Sequence, residues 1–247
     1  MAAGGASNNR SNLFMKLGIM QPYFFPYIGY FQLIDAVDTF VLHDDVQWIK
    51  NGWINRNRIL NNGQDKFITL PLKKDSSLLN INQRYLSSDI DEQKQKIIRF
   101  VGESYKKSPY FPIVFELFER CMNCSETNVS IFVAHAIKEC CLYLGIDTPI
   151  VLSSDLEKNN SLKGQDRVMD ICRVMGATDY INPFGGMTLY DAGAFSNNSI
   201  TLKFLKTRNI IYPQSCENHV QFLSIIDVMM FNSPQQLSHL LSEFDLV

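Results

Sequence analysis

From Leu17 to Asp45 the chain reads LGIMQPYFFPYIGYFQLIDAVDTFVLHDD, and the fold class turns on how that stretch divides. Leu17 to Met20 is a short apolar run stopped by Gln21-Pro22, the pattern of a buried strand leaving the core. Tyr30, Leu33, Ile34 and Val37 then recur at helical spacing on one face while Gln32 and Asp35 turn away, which predicts an amphipathic helix over Gly29 to Val37. Thr39 to Leu42 is a second β-branched and apolar run, and it ends in His43-Asp44-Asp45.

The same alternation continues outward. Phe67 to Leu72, FITLPL, reads as a third strand, and Trp48 to Leu60, with aromatics among Asn, Gly and Arg, reads as a loop that carries binding groups. Helices are expected over Asp89 to Tyr105, Phe111 to Cys121 and Ser130 to Leu144, with Ser108-Pro109 and Gly145 as stops. Pro149 to Leu152 is a strand, Gly164 to Met175 a helix ended by Gly176, and Thr178 to Ile181 a strand leading into Asn182-Pro183-Phe184-Gly185-Gly186. A last strand, Thr201 to Leu205, precedes helices over Ser224 to Phe231 and Pro234 to Phe244. Strands alternating with helices imply an α/β fold, a mostly parallel sheet with helices on both faces, and the mostly helical stretch from Asn82 to Cys141 is expected as an insertion capping it. Residues 15–247 are read as a single domain, and the small, polar residues 1–14 as a disordered extension or an added leader.

Composition narrows the class. With 46% hydrophobic and 12% aromatic residues the chain has ample apolar surface for a core. A net charge of −2, with Lys and Arg spread along the sequence, argues against nucleic acid as a partner. No apolar run reaches the ~18 residues of a membrane span and no secretory signal is visible, so a cytoplasmic protein is expected. The six cysteines include a Cys121-x-x-Cys124 pair and adjacent Cys140-Cys141, but these fall in helical patterns. Free thiols are therefore expected in place of a metal site. GxSxG, Walker A, GxGxxG and HExxH motifs do not occur.

Parallel strands end on a common edge, and ligands bind there. Gln21 leaves the first strand, and His43, Asp44 and Asp45 leave the second, offering a general base that titrates near neutral pH and a carboxylate to orient it or to ligate a divalent cation. Arg56 and Arg58, two residues apart, fall on one face of an extended segment and suit a carboxylate or phosphate. Asn182, Gly185, Gly186 and Tyr190 follow the later strand, where two glycines permit positive φ and close backbone approach to an anion or planar ring. Gln21, Tyr27, His43, Asp44, Arg56, Arg58, Asn182 and Gly185 are expected to meet in one pocket that takes an anionic small molecule, a nucleotide sugar being one such. Asp227, inside an apolar helix, is read as structural, and His135, His219 and His239 as structural or surface residues. The residues name no cofactor.

Four segments carry a family resemblance: GIMQPYFFPYIGYFQLIDAVDTFVLHDDVQW, INRNRI, KGQDRVMDIC with INPFGGMTLYD, and LSIIDVMMFNS. In this order they resemble the WbqC-like family along almost the whole chain after Met15. The resemblance implies a part in bacterial surface-polysaccharide biosynthesis of the O-antigen type, where the expected activity is a transferase modifying an activated sugar precursor. Separately, Tyr27-Ile28-Gly29-Tyr30 at the start of the first helix resembles the HxGH region of nucleotidylyltransferases and pantothenate synthetases, with Tyr27 and Tyr30 where the histidines stand. That resemblance implies a nucleotide phosphate at the helix start. Tyrosine, however, donates a hydrogen bond without supplying a cation. A nucleotide-binding module without transferase chemistry and a non-enzymatic assembly factor are the competing readings.

Overall fold

The computed structural model describes residues 14–247, so the leader expected over residues 1–14 lies, apart from Phe14, outside the described residues. The chain opens with β1 (Lys16–Met20), α1 (Ile28–Asp35) and β2 (Thr39–Leu42), as the opening stretch predicts. It continues through β3 (Arg56–Asn61), β4 (Gln64–Thr69), α2 (Ile90–Tyr105), α3 (Phe111–Met122) and α4 (Val129–Leu144). Then follow β5 (Ile150–Leu152), α5 (Gly164–Met175), β6 (Asp179–Pro183), α6 (Ala192–Asn197) and β7 (Thr201–Thr207), and finally α7 (Ile225–Phe231), α8 (Pro234–Leu241) and β8 (Phe244–Leu246).

The main sheet has the order β5-β2-β1-β6-β7-β8, with only β8 antiparallel to its neighbour. The fold is therefore α/β with a mostly parallel sheet. Its central strands are near-continuous apolar runs because both of their faces are covered. Phe40 and Leu42 of β2 point into a large core with α1, α4, α7 and α8, while Val41 joins Leu17 and Ile19 in a smaller core under α5 and α6. Running outward from β1, the chain first builds β2 and β5 on one side and then returns to build β6 and β7 on the other. The reversal leaves a crevice between the C-terminal ends of β1 and β6.

Local chemistry explains the element ends. The Asn128 side chain caps α4, accepting from the backbone N–H groups of Ser130 at 3.0 Å and Ile131 at 3.3 Å, and Gly145 closes the helix at φ 74°. At the start of α1, a methyl group on Gly29 would collide with the Tyr27 ring and Thr207 Oγ1, so a side chain there would force the helix away from β7.

Three expectations are corrected. The segment read as an irregular loop contains β3, which pairs only with β4, so the third expected strand belongs to a separate hairpin and not to the sheet. The turn is Asn62-Gly63, both at positive φ (49° and 75°), as a tight hairpin with the right-handed strand twist requires. The last helix stops at Leu241, and residues 244–246 form β8 along the outer edge of β7, where Val247 and Phe204 exchange backbone hydrogen bonds. All six cysteines are free, and Cys121, Cys140, Cys141 and Cys172 are packed in the cores. Among the described residues no helix is long and apolar enough to cross a membrane.

Candidate functional site

The crevice between β1 and β6 is a cleft of about 660 Å³ lined by residues that leave the strand ends, among them Gln21, His43, Asp45 and Tyr190, and by Gly164 and Arg167 at the start of α5. His43 is held in place by its backbone N–H, which donates to Met20 O at 2.7 Å across the β1–β2 junction. Its Nε2 stands 3.9 Å from Asp45 Oδ1, too far for a hydrogen bond, and has no hydrogen-bond partner among the described residues.

Asp45 is the centre of a buried charge cluster. Lys158 Nζ, on a side chain only 1% exposed, lies 2.6 Å from Asp45 Oδ2, and the Arg167 guanidinium donates to the same oxygen. Burial alone would raise the Asp45 carboxyl. The hydrogen bond from Lys158, with the positive charges of Arg167 and Lys158, outweighs burial and holds it below its ordinary range. Two cations and one carboxylate leave the cluster net positive. Burial, reinforced by Arg167 and Lys158 against the pull of Asp45, pushes His43 down from 6.5 to about 4. At neutral pH the imidazole is uncharged, and Nε2 can accept a proton.

The sign of the resulting pH dependence follows. An unfolded His43 binds protons through 6.5 whereas the folded one resists until about 4. Stability from the neutral ring is thus complete above 6.5 and lost as pH falls through that interval, by up to about 3 kcal/mol. Thermal denaturation between pH 4 and 7 is expected to show the wild type losing more stability on acidification than His43→Gln. Parallel curves would refute the assignment of a neutral ring.

Asp44 takes a different part from its neighbour. It is 1% exposed and accepts from Ser130 Oγ at 3.0 Å, Ser154 Oγ at 2.8 Å and Ser154 N at 2.9 Å. It therefore ties the end of β2 to α4 and to the turn after β5, and through that anchorage positions His43. Tyr30 is also buried, and its hydroxyl donates to Gln21 O at 2.8 Å, fixing the exit of β1.

The other expected site residues separate. Asn182 is buried with Oδ1 accepting from Tyr180 OH at 2.9 Å, and its Nδ2 occupies the space a side chain on Gly186 would need. That approach accounts for Gly186, whereas Gly185 faces open space, and neither adopts a positive φ. Tyr27 and Arg58 lie with Tyr23, Trp53 and Phe222 around a second cleft of about 400 Å³, where Arg58 pairs with Asp65 at 2.9 Å. Arg56 lines a third cleft. The expectation of a single pocket fails because β3 belongs to the separate hairpin and carries both arginines away from the sheet edge.

Lys158 and Arg167 were not anticipated as site residues. Arg167 lies in the KGQDR segment that opens α5, so its place near the sheet edge was readable, but nothing in a polar loop distinguishes Lys158. Among the described residues no group of three or more His, Cys, Asp or Glu side chains is arranged to hold a metal ion.

Comparison with known proteins places these residues in context. The model of the WbqC-like protein family matches residues 21–239, a span that includes every residue lining the crevice. An uncharacterized protein of Mycobacterium tuberculosis, Rv1507c, is 28% identical over 186 residues, covering 75% of this chain and 79% of that protein. No solved structure matches the chain.

Proposed function

We propose that this chain, which belongs to the WbqC-like protein family, is a transferase that modifies an activated sugar precursor in cytoplasmic, O-antigen-type surface-polysaccharide biosynthesis. The observation that carries the chemistry is the neutral His43 with an unpartnered Nε2 beside a buried cluster of net positive charge. Arg167, whose Nε is likewise without a partner among the described residues, and the start of α5 receive the anionic part of the precursor. His43 Nε2 takes the proton from the acceptor hydroxyl or amine. The acceptor heteroatom forms the new bond, and the leaving group departs with its electron pair.

A base held at about 4 is weak, since general bases work best near the operating pH. Binding works against this. Burial does most to hold the ring down, with Arg167 and Lys158 adding to it, and each negative charge entering the crevice offsets that added part, so the anion raises the basicity of His43 as it docks. Resting enzyme and substrate complex then differ in proton affinity, and the base is strongest with substrate bound.

The test is a mass-spectrometric comparison of the sugar-nucleotide pool in cells carrying wild type, a gene deletion or the His43→Gln protein. The deletion and His43→Gln are expected to accumulate the same unmodified precursor, with turnover by the folded variant reduced about 10²–10⁴-fold. A folded His43→Gln protein that restored the wild-type pool would overturn the base assignment. If Arg167→Met failed while His43→Gln succeeded, a binding module would be the better reading.

A further inference from the structure

The third cleft, of about 510 Å³, gathers Lys50, Arg56, Lys73, Lys74 and Arg84 around a single carboxylate, Asp75. The chain as a whole carries a net charge of −2, yet this one cleft holds an excess of four positive charges. The sequence does not reveal the gathering, because the five residues come from three separate segments. None of the five forms an ion pair among the described residues.

The cleft is built, not a chance meeting of surface lysines. Arg84 is 5% exposed, and its guanidinium donates to Ser76 O at 2.9 Å and Lys73 O at 3.2 Å, bracing the loop that presents Lys73 and Lys74. Arg56 does the same for the loop after Lys50, donating to Gly52 O at 3.2 Å and to Asn51 O, on a residue held at φ 63°. The Arg84 guanidinium lies 4.7 Å from the centre of the Trp48 ring, and both Arg84 Nε and Trp48 Nε1 are buried donors without partners among the described residues. A buried guanidinium without a counter-charge is costly, and like charges held together repel. An anion would relieve both.

We propose that this cleft is a binding site for the diphosphate group of a soluble ligand. A monophosphate, with at most two negative charges, would leave half of the excess uncompensated, whereas a terminal diphosphate, with about three, comes closer to it. The site is separate from the crevice but shares a wall with it. Gln47 pairs with Asn80 in an antiparallel bridge and donates from Nε2 to Ser77 O at 3.1 Å. Gln47 and Asn80 face the crevice, and Trp48 and Ser77 the basic cleft. The assignment does not rest on the role given to His43.

Trp48 supplies a local reporter, since the chain has two tryptophans and Trp53→Phe leaves Trp48 alone. Pyrophosphate titrated into the full-length Trp53→Phe protein at low ionic strength is expected to change Trp48 emission saturably, and added salt to weaken the effect. Adding Lys50→Gln, Lys73→Gln and Lys74→Gln, all at exposed positions, should lower the affinity at least about tenfold without unfolding the protein. A folded triple variant with undiminished affinity, or no saturable response in the parent, would overturn the proposal. So would a Trp48 response to phosphatidylglycerol vesicles with none to pyrophosphate, which would make a lipid headgroup the occupant.

Discussion

Asp45→Asn is expected to lower stability by about 3–5 kcal/mol in urea denaturation, because it removes one charge from a buried cluster and leaves two others facing each other. Lys158 is 1% exposed and Arg167 11%, and both lean on Asp45 Oδ2. An asparagine keeps the shape but not the charge, so two desolvated cations repel across a low-dielectric site. Removing Lys158 as well should restore part of the loss, since the repulsion between the two cations ends although Arg167 is left without its counter-charge. Denaturation of Asp45→Asn and of Asp45→Asn with Lys158→Met therefore tests the cluster as a unit. A single-variant loss below about 1 kcal/mol would mean that water reaches the pair and screens it.

Asp227→Ala should have a comparable effect at a distant place. This carboxylate, fully buried in α7, accepts from Tyr105 OH and Tyr212 OH, each at 2.6 Å, and from Gln214 Nε2 at 3.1 Å. Tyr105 OH in turn accepts from Leu60 N at 3.0 Å, so one side chain joins α2, β3, α7 and the segment before α7. Burial raises the Asp227 carboxyl, although the three donors pull it back down. Alanine would strand the two buried tyrosine hydroxyls, whereas Gln214 Nε2 keeps Val220 O and Tyr212 OH as acceptors, and a loss of about 3 kcal/mol or more is expected. Tyr212→Phe removes a donor together with its need for a partner and should cost only about 1 kcal/mol. Chemical denaturation of the two variants side by side decides the matter, and equal losses would show that the network is not centred on the carboxylate.

The contrast between Asp44, Asp45 and Asp227 shows what the sequence made legible. Residues 17–45 displayed β1, α1 and β2 in order, because helical and strand periodicities are local properties of the chain. The sequence also put His43, Asp44 and Asp45 just beyond β2, but successive side chains at a strand end point opposite ways. Which carboxylate would face the crevice depended on packing against Ser130, Ser154 and Lys158, all more than 80 residues away. Asn62-Gly63 is a local hairpin signal, but the Asn, Gly and Arg residues of the preceding stretch have the composition of a loop. That Arg56 and Arg58 share a strand follows from alternation, but that they serve different clefts follows from the hairpin's placement, which no local pattern encodes.

The reversal of strand order at the crevice also bears on how the molecule comes together. β1 and β6, whose ends frame the candidate site, are neighbours in the sheet although Lys16 and its partner Asp179 are 163 positions apart. Closing a loop of that length costs roughly 4–5 kcal/mol of chain entropy before any contact repays it. The hairpin and the helices α2 to α4 lie within that loop and rest on nearer contacts, so they are free to form first. The seam between β1 and β6 is then a late event in folding. An intermediate could hold most of the secondary structure and still lack the crevice altogether, which makes ligand binding at this seam a more exacting measure of a finished fold than helix content.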